Sequence, residues 1–219
     1  GSFLLSASNS RLLSSEPGAW TFVTMSDEYM LGGTYTGLVL YRKEKGQWVF
    51  DRKLDGLKES CRIMVKDEDQ SIWISHPYRG VYNVRWNAQN KDKIDIRFFN
   101  QENGLPTNLN NYVFQIAGKA VFATEKGVFH FDRSKDTFVP DDDFNRLLDK
   151  QHRVRYLRED TKGNVWYVTD HEAGMLIVND FGLKKEVRKK VIPELAGKLV
   201  GGFEFLLPID GHNMIIGTE

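Results

Sequence analysis

The chain has 219 residues, enough to bury a sizeable core, and 41% of them are apolar, an ordinary globular share. Its 30 Lys and Arg balance 30 Asp and Glu, so there is no excess charge of the kind a nucleic-acid partner selects. With Cys61 as its one cysteine the chain can form no internal disulfide, and no apolar run reaches the roughly 20 residues of a membrane helix.

In chain order, Phe3-Leu4-Leu5 and Arg11-Leu12-Leu13 read as two short strands; the first is too short and lacks the basic flank for a signal peptide. Trp20 to Met25, a turn at Asp27-Glu28, Leu38 to Tyr41 and Trp48 to Phe50 form the next strand-rich unit. A second unit has strands at Arg62 to Lys66, Ile72 to Ser75, Val81 to Trp86 and Ile94 to Phe99, with a polar turn over Asn87 to Asp92. A third uses Val113 to Ile116, Ala120 to Thr124, Val128 to Phe131 and Thr137 to Val139, and Phe144 to Lys150 then fits one or two helical turns. The fourth begins at Val154. Asp160 to Asn164 is turn chemistry, Val165 to Thr169 returns, Asp170 to Ala173 is a polar loop, Gly174 opens Met175 to Val178, and Leu183 to Ile192 is the outer strand. Phe203 to Thr218 then supplies a first and a second strand.

These units are copies of one another. The glycines assigned to the start of the third strand, Gly37, Gly80, Gly127 and Gly174, are spaced 43, 47 and 47 residues apart. A period in the forties with several short strands per unit marks a propeller, in which each small sheet buries its faces only against its neighbours. The expected fold is therefore all-β: a β-propeller with four complete four-stranded blades and two half blades. The chain starts and stops in mid-blade, so the halves either join to close a ring of five or belong to a larger ring, for example of seven. The whole of 1–219 reads as one propeller domain or segment, with repeats at about 1–16, 17–54, 55–104, 105–149, 150–197 and 198–219.

The repeat carries an acidic turn, Gly163-Asn164, Trp166, a Val168-Thr169 step and a following Gly-apolar pair, and Asn103-Gly104-Leu105-Pro106-Thr107-Asn108 leads into the next copy. In these features it resembles the two-component regulator propeller repeat. Departures are His76 in the Thr position, a shortened turn at Gly118, and a Trp kept only at Trp73 and Trp166. The resemblance implies a periplasmic or extracytoplasmic sensor domain of a membrane-anchored regulator of the Bacteroides type. It would signal to downstream domains of the same full-length chain and reach the membrane only through segments outside this one. A homodimer is left open.

Loops joining second to third strands, and those joining blades, converge on one face of a propeller, where binding is expected. They carry Tyr35, Thr36, His76, Pro77, Tyr78, Arg79, Glu125, Lys126, Asp170, His171 and Glu172, with Asn108 among the inter-blade amides. Aromatic rings beside amide and charged groups suit a sugar, the rings stacking on its apolar face and the polar groups bonding its hydroxyls. The candidate ligand-binding set is Tyr35, His76, Tyr78, Arg79, Asn108, Glu125, Lys126, Asp170, His171 and Glu172, and the ligand class is an oligosaccharide.

His76 and His171 sit in equivalent loops, but no clustered ligand spacing accompanies them, and Asp141-Asp142-Asp143 lacks the alternation and turn glycine of a calcium loop, so no metal and no cofactor are assigned. Lys184-Lys185 with Arg188-Lys189-Lys190 reads as the exposed face of an outer strand, Cys61 as a small buried residue at the start of an inner strand, and Trp73 and Trp166 as packing between blades. No nucleophile elbow, phosphate loop or His-Glu-x-x-His motif is present, so the reading is non-catalytic. Two alternatives stand beside it: a propeller lyase or glycosidase using Glu125, Asp170, His171 or Glu172, and a protein-interaction scaffold.

Overall fold

The computed structural model describes residues 1–76, 78–149, 152–181, 184–195, 198, 205–210 and 213–217. Four antiparallel four-stranded sheets follow one another along the chain. Sheet 1 holds β3 (Thr21–Thr24), β4 (Tyr29–Thr34), β5 (Gly37–Glu44) and β6 (Gln47–Leu54). Sheet 2 holds β7 (Ile63–Lys66), β8 (Ile72–His76), β9 (Gly80–Asn87) and β10 (Asn90–Phe99). Sheet 3 holds β11 (Tyr112–Ile116), β12 (Lys119–Thr124), β13 (Gly127–Asp132) and β14 (Thr137–Pro140). Sheet 4 holds β15 (Val154–Glu159), β16 (Val165–Thr169), β17 (Ala173–Phe181) and β18 (Lys184–Val191). Two hairpins flank them, β1 (Ser2–Leu5) with β2 (Ser10–Ser14) and β19 (Phe205–Pro208) with β20 (Met214–Gly217), and α1 (Asp142–Leu148) lies between sheets 3 and 4.

The sheets stack face to face, and each interface is its own core. Leu31, Leu38 and Leu40 of sheet 1 meet Met64, Ile72 and Ile74 of sheet 2. Trp73 and Phe99 of sheet 2 meet Phe122 and Phe138 of sheet 3. Val121 and Val128 of sheet 3 meet Leu157 and Tyr167 of sheet 4. Trp166 and Val168 of sheet 4 meet Leu206 of β19. On the first face of sheet 1, the Ser2 hydroxyl and the Tyr41 phenol share a 2.7 Å hydrogen bond. A sheet covered on both faces needs apolar residues on both, which is why β8 and β16 read as near-continuous apolar runs. The innermost strands β3, β7, β11, β15 and β19 are neighbours in that order, an arrangement consistent with propeller blades.

A repeated latch closes the first turn of sheets 2 and 4. Asp67 Oδ2 accepts from Trp73 Nε1 at 3.0 Å, and Asp160 Oδ2 from Trp166 Nε1 at 3.1 Å. The Asp160 carboxylate also takes the backbone N–H of Lys162 and Asn164 and the Asn164 amide. Gln70 and Gly163 occupy the same turn position with φ of 67° and 79°, so a left-handed conformation that suits glycine is held by Gln in sheet 2. The Asp67 carboxylate reaches onward to the backbone N–H of Ala120, tying sheet 2 to sheet 3.

Several boundaries differ from the sequence reading. The turn placed over Asn87 to Asp92 shrinks to Ala88-Gln89, because β9 and β10 run on through a register shift between Asn90 and Ile94. Third and outer strands of sheet 1 are longer than their apolar cores. Gly37, Gly80 and Gly127 open third strands with positive φ, but Gly174 does not; β17 opens at Ala173, and Gly174 is flush against the Lys190 carbonyl and the Tyr167 ring, where a side chain has no room. The helix expected in 144–150 forms as α1, which starts two residues earlier and ends at Leu148, Lys150 lying outside the described residues; Asp141 caps it by accepting from the Phe144 N–H, which gives the acidic triplet a structural role. Cys61 is fully buried but lies just ahead of β7; burial, reinforced by the Glu59 charge, pushes its thiol up to about 12. Leu183, Phe203 and Thr218, assigned to strands, lie outside the described residues, as do residues 182, 196–197, 199–202, 204, 211–212 and 219.

Trp73 is 1% exposed and has the rings of Phe99, Phe122, Phe131 and Phe138 within 5.9 Å, whereas Trp166 is 9% exposed. Trp73→Ala should therefore cost about 3–5 kcal/mol and more than Trp166→Ala. Urea unfolding of the two variants checks the order, and an equal or reversed loss contradicts this packing. Asp160 gives a pH prediction. Burial alone would raise its pKa, but hydrogen bonds from the Asn164 and Trp166 side chains and from the Lys162 and Asn164 backbone hold it below the ordinary carboxylate value. The folded carboxylate thus binds its proton less readily than the unfolded one. Its stabilisation is complete above the unfolded pKa of about 4 and is lost as pH falls through the folded value. Melting followed from pH about 6 downward should show a steeper acid loss for the parent than for Asp160→Asn.

Candidate functional site

The loops that carry the sequence-predicted residues are built on one device. Thr34, Thr124 and Thr169, all fully buried, end the second strands. Their hydroxyls donate to the carbonyls of Gly37, Gly127 and Glu172 at 2.9–3.1 Å, and each accepts the backbone N–H two residues on, from Thr36, Lys126 and His171. In sheet 2 the imidazole does this work: His76 Nδ1 accepts the Tyr78 N–H at 3.3 Å. A small hydroxyl and a ring nitrogen thus cap the same turn, which explains how His substitutes for Thr at this position.

These loops are joined to the connections between sheets. The Cys61 N–H donates to the Thr34 carbonyl, the Val113 N–H to the Ser75 hydroxyl, and the Tyr35 N–H to the Pro17 carbonyl. The Asp170 N–H donates to the Arg153 carbonyl. The second-to-third loops and the inter-sheet connections therefore share one end of the stack, and the expected residues fall there in four groups.

In the first group, Tyr35, 44% exposed, meets Trp20 edge-on at 5.3 Å, and the Arg62 guanidinium lies 4.8 Å from the Trp20 ring and 5.4 Å from the Tyr35 ring. In the second, Tyr78 is 75% exposed, Arg79 is ion-paired to Glu59, and His76 Nε2 is 3.7 Å from the other Glu59 oxygen. Pro77, between them, lies outside the described residues. In the third, Glu125 accepts from the Asn110 amide at 2.7 Å, beside Lys126. In the fourth, His171 stacks on His152 at 4.9 Å and 11°, and Asp170 is 3.3 Å from His152 Nδ1.

Besides His76, two predicted residues are engaged in holding the structure. Asn108 accepts the Gln101 N–H at 2.8 Å and shapes the connection into sheet 3. Glu172 accepts the Tyr167 hydroxyl at 3.0 Å and pairs with Lys189, so Lys189 of the basic run is turned to this face. Burial, then the Glu172 hydrogen bond and charge, raise the Tyr167 phenol far above its ordinary range. Sequence reasoning missed Trp20, Arg62, His152 and Arg153. Each lies in a connection just before a first strand, and that shared placement was the available signal.

Burial lowers the pKa of His76, aided by the Arg79 and Arg62 charges and opposed by Glu59. Its folded form therefore binds a proton less readily than its unfolded form, and protonation also removes the Nδ1 acceptor. The stabilisation from His76 is present above the unfolded pKa of about 6.5 and lost as pH falls through the folded value. His76→Thr should keep stability at neutral pH within about 0.5 kcal/mol, by restoring the hydroxyl cap, and should flatten the melting temperature between pH about 7 and 5. Calorimetric melting across that range is the check.

No family model matches the chain, and no curated protein does. Similar folds among solved structures are extracellular domains of bacterial two-component and one-component systems. One is the extracellular domain of BT4673 of B. thetaiotaomicron, assigned as a hybrid two-component system: TM-score 0.58, 16% identity, covering 97% of this chain and 30% of that one. A second structure of that domain, assigned to a one-component system, gives 0.48 at 21% identity over 71% of this chain and 20% of that one, and the domain of BT3049 gives 0.41 at 17% over 91% and 30%. The chain thus spans less than a third of the length of these proteins, and at this identity the likeness is one of fold.

Proposed function

We propose that this chain is a propeller segment of an extracytoplasmic sensor, one domain at 1–219 with four full blades, two half blades and the repeat boundaries given above. It would recognise an oligosaccharide at the loop face without catalysis and relay the event to downstream domains of its full-length chain. The observation that carries the reading is the loop face itself. Exposed rings at Tyr35, Tyr78 and the His152–His171 stack stand beside Arg79, Asn110, Glu125 and Asp170, on elements whose fold resembles the extracellular domain of BT4673. Flat rings among hydroxyl-bonding groups are the chemistry of sugar recognition. No described helix is long and apolar enough to cross a membrane.

Tyr78→Ala and His171→Ala should each weaken binding of an oligosaccharide that the parent binds and shift stability by only about 0.5 kcal/mol, since both rings lie on exposed loops. Titration calorimetry against an oligosaccharide panel, with melting as control, measures both. Unchanged affinity in both variants moves the site off this face, and a parent that binds no sugar favours the scaffold reading.

A further inference from the structure

The innermost strands border a groove of about 680 Å³, lined by β3, β7, β11 and β15 together with Arg62. Each of these strands is the edge of its sheet, so backbone N–H and C=O groups that no sheet partner takes face this space. The groove's charge is one-sided. Arg62, Lys66 and Arg158 line it, against the single carboxylate of Glu159, one oxygen of which already accepts the Ala117 N–H at 2.8 Å.

This imbalance stands out in a chain of zero net charge. Several cations elsewhere are neutralised: Arg133 bonds Asp67 and Asp69, Arg97 pairs with Asp136, Arg85 with Asp69, Arg79 with Glu59 and Lys53 with Glu16. Among the described residues, Arg62, Lys66 and Arg158 have no carboxylate partner. Like charges gathered around a low-dielectric cleft repel one another and focus a positive potential into it, a cost that an anionic occupant removes. The groove is also prepared for such an occupant. The Arg62 guanidinium lies against the Trp20 and Tyr35 rings, contacts that engage none of its N–H groups with a carboxylate and so leave them for a carboxylate or sulfate. The Gln115 amide bonds the Lys66 carbonyl and fixes the strand there. Thr21, Thr24 and Gln115 add neutral hydrogen-bonding groups between the charges.

We propose that this groove binds an acidic oligosaccharide, with its carboxylate or sulfate groups on Arg62, Lys66 and Arg158 and its hydroxyls on the neutral groups and strand edges. The proposal rests on the oligosaccharide reading above and adds the charge class and a second locus. The volume lies in the range of small-molecule sites, and the balanced charge of the chain as a whole argues against a nucleic acid.

The test titrates the protein with three tetrasaccharides of equal length: neutral, uronate-containing and sulfated. At least one acidic probe should bind about tenfold or more tighter than the neutral one, and its affinity should fall as ionic strength rises from about 0.01 to about 0.15 M. Which acidic probe binds tighter distinguishes carboxylate from sulfate. The double variant Lys66→Gln/Arg158→Gln should lose about tenfold for that probe with unchanged melting, while Lys66→Arg/Arg158→Lys retains binding. Tyr78→Ala should weaken the neutral probe and leave the affinity of the acidic probe for the groove at its parental value. A neutral probe bound as tightly as the acidic ones, or a double variant with parental affinity, overturns the acidic groove and leaves oligosaccharide recognition standing. Failure of all three probes to bind overturns both.

Discussion

The structure depends on burying both faces of thin sheets. A four-stranded sheet of strands four to ten residues long has too little apolar surface to stand alone, and these sheets solve the problem only by stacking. Each apolar layer belongs to two sheets at once: Ile72 and Ile74 face sheet 1 while Trp73, between them in sequence, faces sheet 3. Alternation along one strand thus commits a single segment to two cores. The polar latches follow from this. An indole set between sheets has one N–H to satisfy, and Asp67 and Asp160 provide the acceptor from the turn that the same strand leaves.

The fold was largely legible because its signals are local and repeated. Strand cores, the Trp positions, the α1 segment and the two flanking hairpins all follow from alternation, turn chemistry and the forty-odd-residue period. Errors arose where tertiary pairing extends an element beyond its apolar centre, as in β9 and β10, or where a glycine is present for space rather than for φ, as Gly174 is. The site was less legible. The loops that carry the candidate residues share one end of the stack, as topology predicts, but a side chain's work within a loop depends on partners far along the chain. Glu172 reads like any exposed acid until Tyr167 and Lys189 are seen around it, and His76 like a binding residue until its ring is found capping a turn. Arg62 and Trp20 lie 42 residues apart, and no short pattern joins them.

The loop face also joins one sheet to the next. The end of β4 accepts from the residue that leads into sheet 2, and the end of β8 from the first strand of sheet 3, so neighbouring sheets are hinged at the end where the exposed rings stand. The opposite end is braced differently, by Asp67 and Arg133 spanning sheets 2 and 3 and by Glu159 reaching the Ala117 N–H across sheets 3 and 4. A molecule lying across two loops would therefore touch the same short segments whose backbone bonds join one sheet to the next.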